Sequence, residues 1–471
     1  MALLVSMLTI SALQAQVLKA GAYMSNISPP LGKEIVGNWN SPPATHIHDE
    51  LYAKCLVLED GETMIAIVVV DNVGIRREVY DVAKQWITDE TGMPSDHILM
   101  AATHTHSGIS ASGEGDARKA WQGDAPLDDY QAFVARRIAD GVRVAINHLE
   151  PARIAWGAVD VPQHVFNRRW LMREPVMNPL GGMDQAKMNP GIKNPDTVKP
   201  AGPIDPEVSF IAVESVKGVP ITVLANYSLH YVGGVPRGHI SADYFAIFGD
   251  RIQELLDADR QTPSFVGIMT NGTSGDVNNI NFAGPGEKHL PYGKMNIVAN
   301  DVAHAVHMAY KKLEFKTWVP LAAAQSEIML KVRRASPEVL ANMEAVRSRA
   351  DDADPLFSRH EKIYAERIMQ LEEEWPDEIS IILQTFRIGD LGIATSPFET
   401  FAETGLEIKE KAPFKDAFTI ELANGSYGYL PTPPQHELGG YETWLGTNRV
   451  EKEATVKMMA EWMRLFKTIQ D

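Results

Sequence analysis

The residues best equipped for chemistry stand in Thr103-His104-Thr105-His106-Ser107-Gly108. An apolar run over 97–102 leads into this segment, and Gly, Ser and Ala carry it on to residue 113. Residues i and i+2 of an extended chain point the same way. Two imidazoles so spaced can both reach one metal, or one can bind metal while the other faces a substrate. Neutral imidazole is a favoured zinc ligand. Three later apolar runs end in groups of similar use. One closes on Asn226-Tyr227-Ser228-Leu229-His230, one on Pro397-Phe398-Glu399, and the third leads through a Gly-rich turn to Tyr429. Two histidines and a carboxylate, with one position open to water, make a catalytic zinc set.

These groups need strands to carry them. The runs 51–58 and 64–70 flank Asp60-Gly61, a hairpin signal. The stretch 79–91 has apolar residues at helical spacing and stops at Gly92-Met93-Pro94. Helices are expected at 128–147, 241–258, 296–313, 403–411 and 451–469, and strands at 153–161, 208–213, 220–225, 264–270, 379–388 and 391–395. Strands alternating with helices predict an α/β fold: a mixed-sheet catalytic domain with helices packed around it and site loops at strand ends. The stretch 163–202 is rich in Met, Asn, Pro and Gly. It lacks periodicity and reads as a structureless lid or rim. The charge-dense stretch 335–377 reads as a solvated helical insertion. No internal repeat or low-complexity tract is evident.

The 471 residues carry a net charge of −17, which argues against nonspecific nucleic-acid binding. The single cysteine, Cys55, lies in an apolar run, so an intrachain disulfide and a Cys-based zinc site are both excluded. Residues 1–15 read as a signal peptide, apolar and ending at Ala15, which points to a secreted or periplasmic protein. No stretch has the length of a transmembrane segment. One catalytic domain is expected over 16–471.

Several of these segments resemble the neutral/alkaline ceramidases and their bacterial relatives. Thr103 through Gly108 matches the family's THTHSG motif, and Phe166-Asn167-Arg168 resembles its INRSP segment. Ser274-Gly275-Asp276-Val277 matches the start of its GDVSPN loop, and Pro397-Phe398-Glu399 resembles the segment bearing its acidic zinc ligand. Residues 424–432 and Gly440-Tyr441-Glu442 match its tyrosine-rich stretch. The resemblance implies one zinc ion held by His104, His230, Glu399 and Tyr429. It places His106, Arg168 and Tyr441 toward the scissile amide or its oxyanion. It also implies an amidase that cleaves an N-acyl bond of a small-molecule or lipid-like substrate by attack of zinc-activated water. His106 would move a proton, and Arg168 or Tyr441 would stabilise the oxyanion.

Three features depart from that pattern. Asn278 stands where the family's loop carries a serine; it cannot form an acyl-enzyme, but it can donate a hydrogen bond. No C-terminal immunoglobulin-like domain is expected after Tyr441, and no apolar insertion suggests contact with a bilayer. The same residues would also suit a zinc hydrolase of a carbohydrate or other polar ester or amide, or a relative that binds metal or ligand without catalysis. Elsewhere, Asp71 and Asp276 are placed either to hydrogen-bond a ligating histidine or to cap their loops. Ser274 reads as a turn-stabilising residue, His46 and His48 as a surface loop, and His304 and His307 as ordinary helix positions. His239 and Asp243 lie close enough to His230 in sequence to support it, and Trp170-Leu171-Met172 would suit a pocket rim.

Overall fold

The apolar runs become strands buried on both faces. In Met64–Val70, Ile65, Ile67 and Val69 turn to one core while Ala66, Val68 and Val70 turn to another. A strand covered on both sides needs no polar alternation, which is why the run reads as continuous. The computed structural model describes residues 16–37, 40–109, 111 and 126–470. The leader over 1–15 and most of the Gly/Ser loop after Ile109 lie outside the described residues.

The large sheet is mixed and has eight strands. Their order is Val266–Asn271, Pro220–Tyr227, Glu207–Ser215, Glu150–Asp160, Lys19–Asn26, Tyr52–Glu59, Met64–Val70 and Ile98–Ala102. Only the outermost pairing at each edge is parallel. This order contains a repeat. Each half is one unit of three antiparallel strands, a crossover helix, a fourth strand parallel to the third, and a closing helix. The first unit uses helices Arg77–Thr91 and Asp129–Asn147, and the second uses Asp243–Leu255 and Gly293–Tyr310. A third copy forms a separate sheet of Leu321–Lys331, Glu378–Ile388, Leu391–Ser396 and Asp416–Glu421, with helices Ala402–Lys411 and Ala454–Thr468. The expectation of no repeat is therefore corrected at the level of topology. Strand order demands only an apolar pattern, which unrelated residues satisfy equally well.

The three units share one core. Ile67 of the first, Ile211 of the second and Ile393 of the third belong to the same buried cluster, while each unit's helices cover its outer face. The first strands begin close together, with Ala152 N donating to Leu18 O (2.8 Å) and Leu18 N donating to Thr317 O (3.1 Å). The fourth strands end close together, with Ala102 N donating to Leu422 O (3.1 Å).

Each unit also carries an insertion between its first and second strands. Third and fourth strands run parallel to the first, so every insertion emerges at the end where the site loops lie. The first insertion holds short strands Ile35–Val36 and His46–Ile47. The second is the stretch expected to be structureless; residues Arg169–Met177, Met183–Met188 and Thr197–Pro200 instead form a three-stranded sheet. Its strands are largely exposed and interrupted by proline, so their periodicity is weak. The third insertion is the helical pair Pro337–Arg347 and Glu361–Glu374. Strand Leu321–Lys331 escapes the sequence reading because its alanine-rich residues are mostly half-buried on both faces. Among the described residues, no helix is long and apolar enough to cross a membrane.

Candidate metal centre

Strand Ile98–Ala102 delivers His104 in the left-handed backbone region, at φ 72°. A non-glycine residue rarely sits there, and such strain recurs at functional sites. Its Nδ1 lies 2.5 Å from Val73 O, at the loop that follows the neighbouring parallel strand. His230 follows Pro220–Tyr227 in the second unit, and its Nδ1 faces Ser274 O at 3.2 Å. A carbonyl can only accept, so both rings carry their proton on Nδ1 and leave an Nε2 lone pair facing inward.

Those lone pairs converge. His104 Nε2 is 3.1 Å from His230 Nε2 and 3.1 Å from His106 Nε2. Glu399 Oε2 lies 3.3 Å from His104 Nε2 and 3.6 Å from His230 Nε2. That oxygen is buried and, among the described residues, accepts no hydrogen bond. Nitrogen ligands about 2.0–2.1 Å from a tetrahedral zinc lie roughly 3.3 Å apart. The donor set therefore has the spacing and the inward lone pairs that a single cation satisfies, and the three buried histidines form a group able to hold a metal ion.

The electrostatics favour the same state. Burial pushes the imidazoles of His106 and His230 well below their ordinary value, and His104 and Arg168 push them further. Both shifts favour the neutral ring, which ligation by His230 and proton acceptance by His106 each require. Burial alone would push the Glu399 carboxyl up, but His104, the Tyr429 hydroxyl and Arg168 together hold it below its ordinary value. An uncompensated buried carboxylate would cost several kcal/mol or more.

Glu399 and Tyr429 are paired residues of two short parallel strands, so the acid and the phenol share one face. The Arg168 guanidinium sits 5.3 Å from the Tyr429 ring centre. It donates to Glu442 Oε1 (2.9 Å) and to Gly275 O (2.9 Å). The Tyr441 ring meets that of Tyr429 edge-on at 5.6 Å. His104, His106, His230, Glu399, Tyr429, Arg168 and Tyr441 thus come together. Asn278 does not join them through its amide, which donates to Asn189 Oδ1 (2.9 Å) and accepts from Ile280 N (3.0 Å).

The supporting residues differ from those expected. Ser274 is more than a turn residue: its carbonyl orients His230, and its Oγ donates to Glu421 (2.8 Å). Glu421 also accepts from Thr400 N (2.7 Å), so one buried carboxyl ties the His230 support to the Glu399 strand. Sequence reasoning passed over Glu421, although an acid closing the apolar run 417–420 was a usable signal. Tyr231, also passed over, stacks on His106 at 3.7 Å. Glu442, fully buried, anchors both Arg168 and Arg169. Among the described residues, Asp71 and Asp276 bond no histidine. Asp71 accepts from Tyr52 N, and Asp276 accepts from Ala402 N and Asn167 Nδ2, so both cap loops. Asp243 holds the chain beyond His230 by accepting from Val232 and Gly233 N, whereas His239 turns to Tyr292. His46 packs on His239, apart from the centre. Gly275 lets the loops close: a Cβ there would lie 2.4 Å from Glu399 O.

No family model matches the chain, and no curated protein matches it by sequence. Solved structures do match. Neutral ceramidase from Pseudomonas aeruginosa superposes with a TM-score of 0.69 at 15% identity, over 97% of this chain and 75% of that one. A ceramidase complexed with C2 gives 0.67 at 16% identity, with the same coverage. This chain has the neutral ceramidase fold.

Proposed function

We propose that the protein is a zinc-dependent amidase that hydrolyses an N-acyl bond. The observation that carries this reading is the convergence of His104 Nε2, His230 Nε2 and Glu399 Oε2 within 3.1–3.6 Å, on a ceramidase fold. His104, His230, Glu399 and Tyr429 are the residues that would hold the metal. When bound, zinc supplies Lewis acidity toward the amide carbonyl and lowers the pKa of water.

The chain's own groups do the rest. His106, neutral and fixed against Tyr231, accepts a proton as water adds to the carbonyl carbon and returns it to the departing nitrogen. The C–N bond breaks, the carbon keeps the hydroxyl, and the products are an acid and an amine. Arg168, anchored by Glu442, supplies positive charge toward the oxyanion, and Tyr441 supplies a hydroxyl. A cavity of about 660 Å³ opens two residues beyond His230, between Val232, Val235, Ile192, Ile280 and Leu290. Its apolar walls suit the acyl chain.

The test is turnover of N-dodecanoyl amides by the purified full chain, followed by amine release before and after chelation. Turnover that chelation abolishes and zinc restores is the expected result. Bound zinc with no turnover of any acyl amide would overturn the reading in favour of a binding protein.

A further inference from the structure

A second cavity, of about 580 Å³, reaches the centre at Tyr441, which forms part of its wall. Two elements of different units close it: the three-stranded sheet of the second insertion and residues 358–360 of the third. Among the described residues, the two cavities share no lining residue, and the Asn189–Asn278 bond runs between their walls. Asn189 lines the second cavity and bonds Asn278, whereas Asn279 and Ile192 line the first. The partition therefore stands between two compartments of different chemistry.

Tyr441 and Trp444 give the second cavity an aromatic wall, and Lys187 and Arg359 bring two exposed cations to its rim. Among the described residues neither cation forms an ion pair. Asp184 also lines the cavity, but its oxygens are occupied by Asn178 Nδ2 (2.9 Å) and Trp444 Nε1 (2.6 Å), and burial pushes its carboxyl up from the ordinary value. Arg359 donates its Nε to His360 Nε2 (2.8 Å), a neutral partner that leaves its terminal nitrogens available. Two cations without an acidic partner among the described residues, in a chain of net charge −17, form a local exception to the overall charge.

We propose that this cavity receives the amine half of the substrate and selects one that carries an anionic group. The preferred substrate is then an N-acyl amino acid or N-acyl aminosulfonate rather than a ceramide, whose amine half is an uncharged alcohol. This rests on the amidase reading and names its substrate class. The acyl chain lies on the histidine side, the scissile amide at the centre, and the anion against Lys187 and Arg359.

The experiment compares N-dodecanoyl glycine, N-dodecanoyl taurine, N-dodecanoyl ethanolamine and N-dodecanoyl sphingosine on the zinc-loaded full chain. The expected kcat/KM for the anionic amides exceeds that for the ethanolamide by about tenfold or more, and the gap narrows as salt rises. The Lys187→Ala/Arg359→Ala variant should raise KM for the anionic amides about tenfold while leaving kcat and ethanolamide turnover unchanged. Preference for glycine over taurine would assign the anion as carboxylate, and the reverse as sulfonate. Equal or better turnover of the uncharged amides, or an unmoved KM in the double variant, overturns the proposal. Binding of N-dodecanoyl glycine, read by tryptophan fluorescence, separates the two claims. Binding weakened by the double variant, without turnover, would sink the amidase reading and keep the anion site. Binding that the variant leaves unchanged would sink the anion site.

Discussion

The three repeated units deliver their site residues from the ends of third or fourth strands, His104 from a fourth, His230 and Glu399 from thirds, yet they hold them differently. In the first two units the imidazoles are oriented by backbone carbonyls, Val73 O for His104 and Ser274 O for His230. In the third, the acid and phenol depend on side chains: Glu421 bonds the backbone beside Glu399, and Arg168 from another unit lies over Tyr429. A backbone carbonyl survives mutation of its own side chain, whereas a side-chain brace does not. The histidine half of the centre is therefore built to tolerate substitution around it, and the acidic half is built to be sensitive.

The largest effect should come from His104, whose Nε2 lies 3.1 Å from His230 Nε2 and 3.3 Å from Glu399 Oε2. His104→Ala should remove bound zinc and lower kcat/KM by roughly a thousandfold or more, as read by metal analysis and amide turnover. Full zinc occupancy in that variant would break the ligand assignment. Next comes the brace. Glu421→Ala should weaken zinc affinity about 10- to 100-fold, whereas Glu421→Gln should retain most of it, because burial pushes this carboxyl well above its ordinary value and a neutral amide can replace it. Ser274→Ala keeps the carbonyl that orients His230 and should lose far less than Glu421→Ala. Competitive chelator titration ranks all three, and an equal loss for Ser274→Ala and Glu421→Ala would erase the contrast between the halves.

The third unit should also show its own acid sensitivity. Burial lowers His436 from 6.5 to about 3. Between those values the unfolded chain binds a proton that the folded chain does not, so stability falls as pH drops below 6.5. The slope approaches 1.4 kcal/mol per pH unit for this one group. His436→Gln should flatten the pH dependence of Tm over that window and leave it unchanged above pH 7. The smallest effect is expected at Asn278. Asn278→Ala should leave zinc in place and change turnover within about threefold, since its amide is committed to the partition.

The elements that carry the centre were legible because strands buried on both faces leave long apolar runs, and the residues at their ends stand out against them. His104, His106, His230 and Glu399 could be picked out in this way. The supporting residues could not. Val73 and Ser274 act through carbonyls that every residue possesses, and Glu442 finds Arg168 across more than 270 positions of chain, a pairing no local pattern encodes. The second insertion was misread because exposed strands with proline and methionine lose the period of two. The repeat was invisible because it resides in strand order and pairing.

X-ray absorption at the zinc edge of the purified, zinc-loaded full chain tests the central claim most directly. The account predicts one zinc per chain, with at least two imidazole nitrogens and a carboxylate oxygen about 2.0–2.2 Å from it. A first shell without imidazole, or a chain that retains no zinc after dialysis, would contradict it.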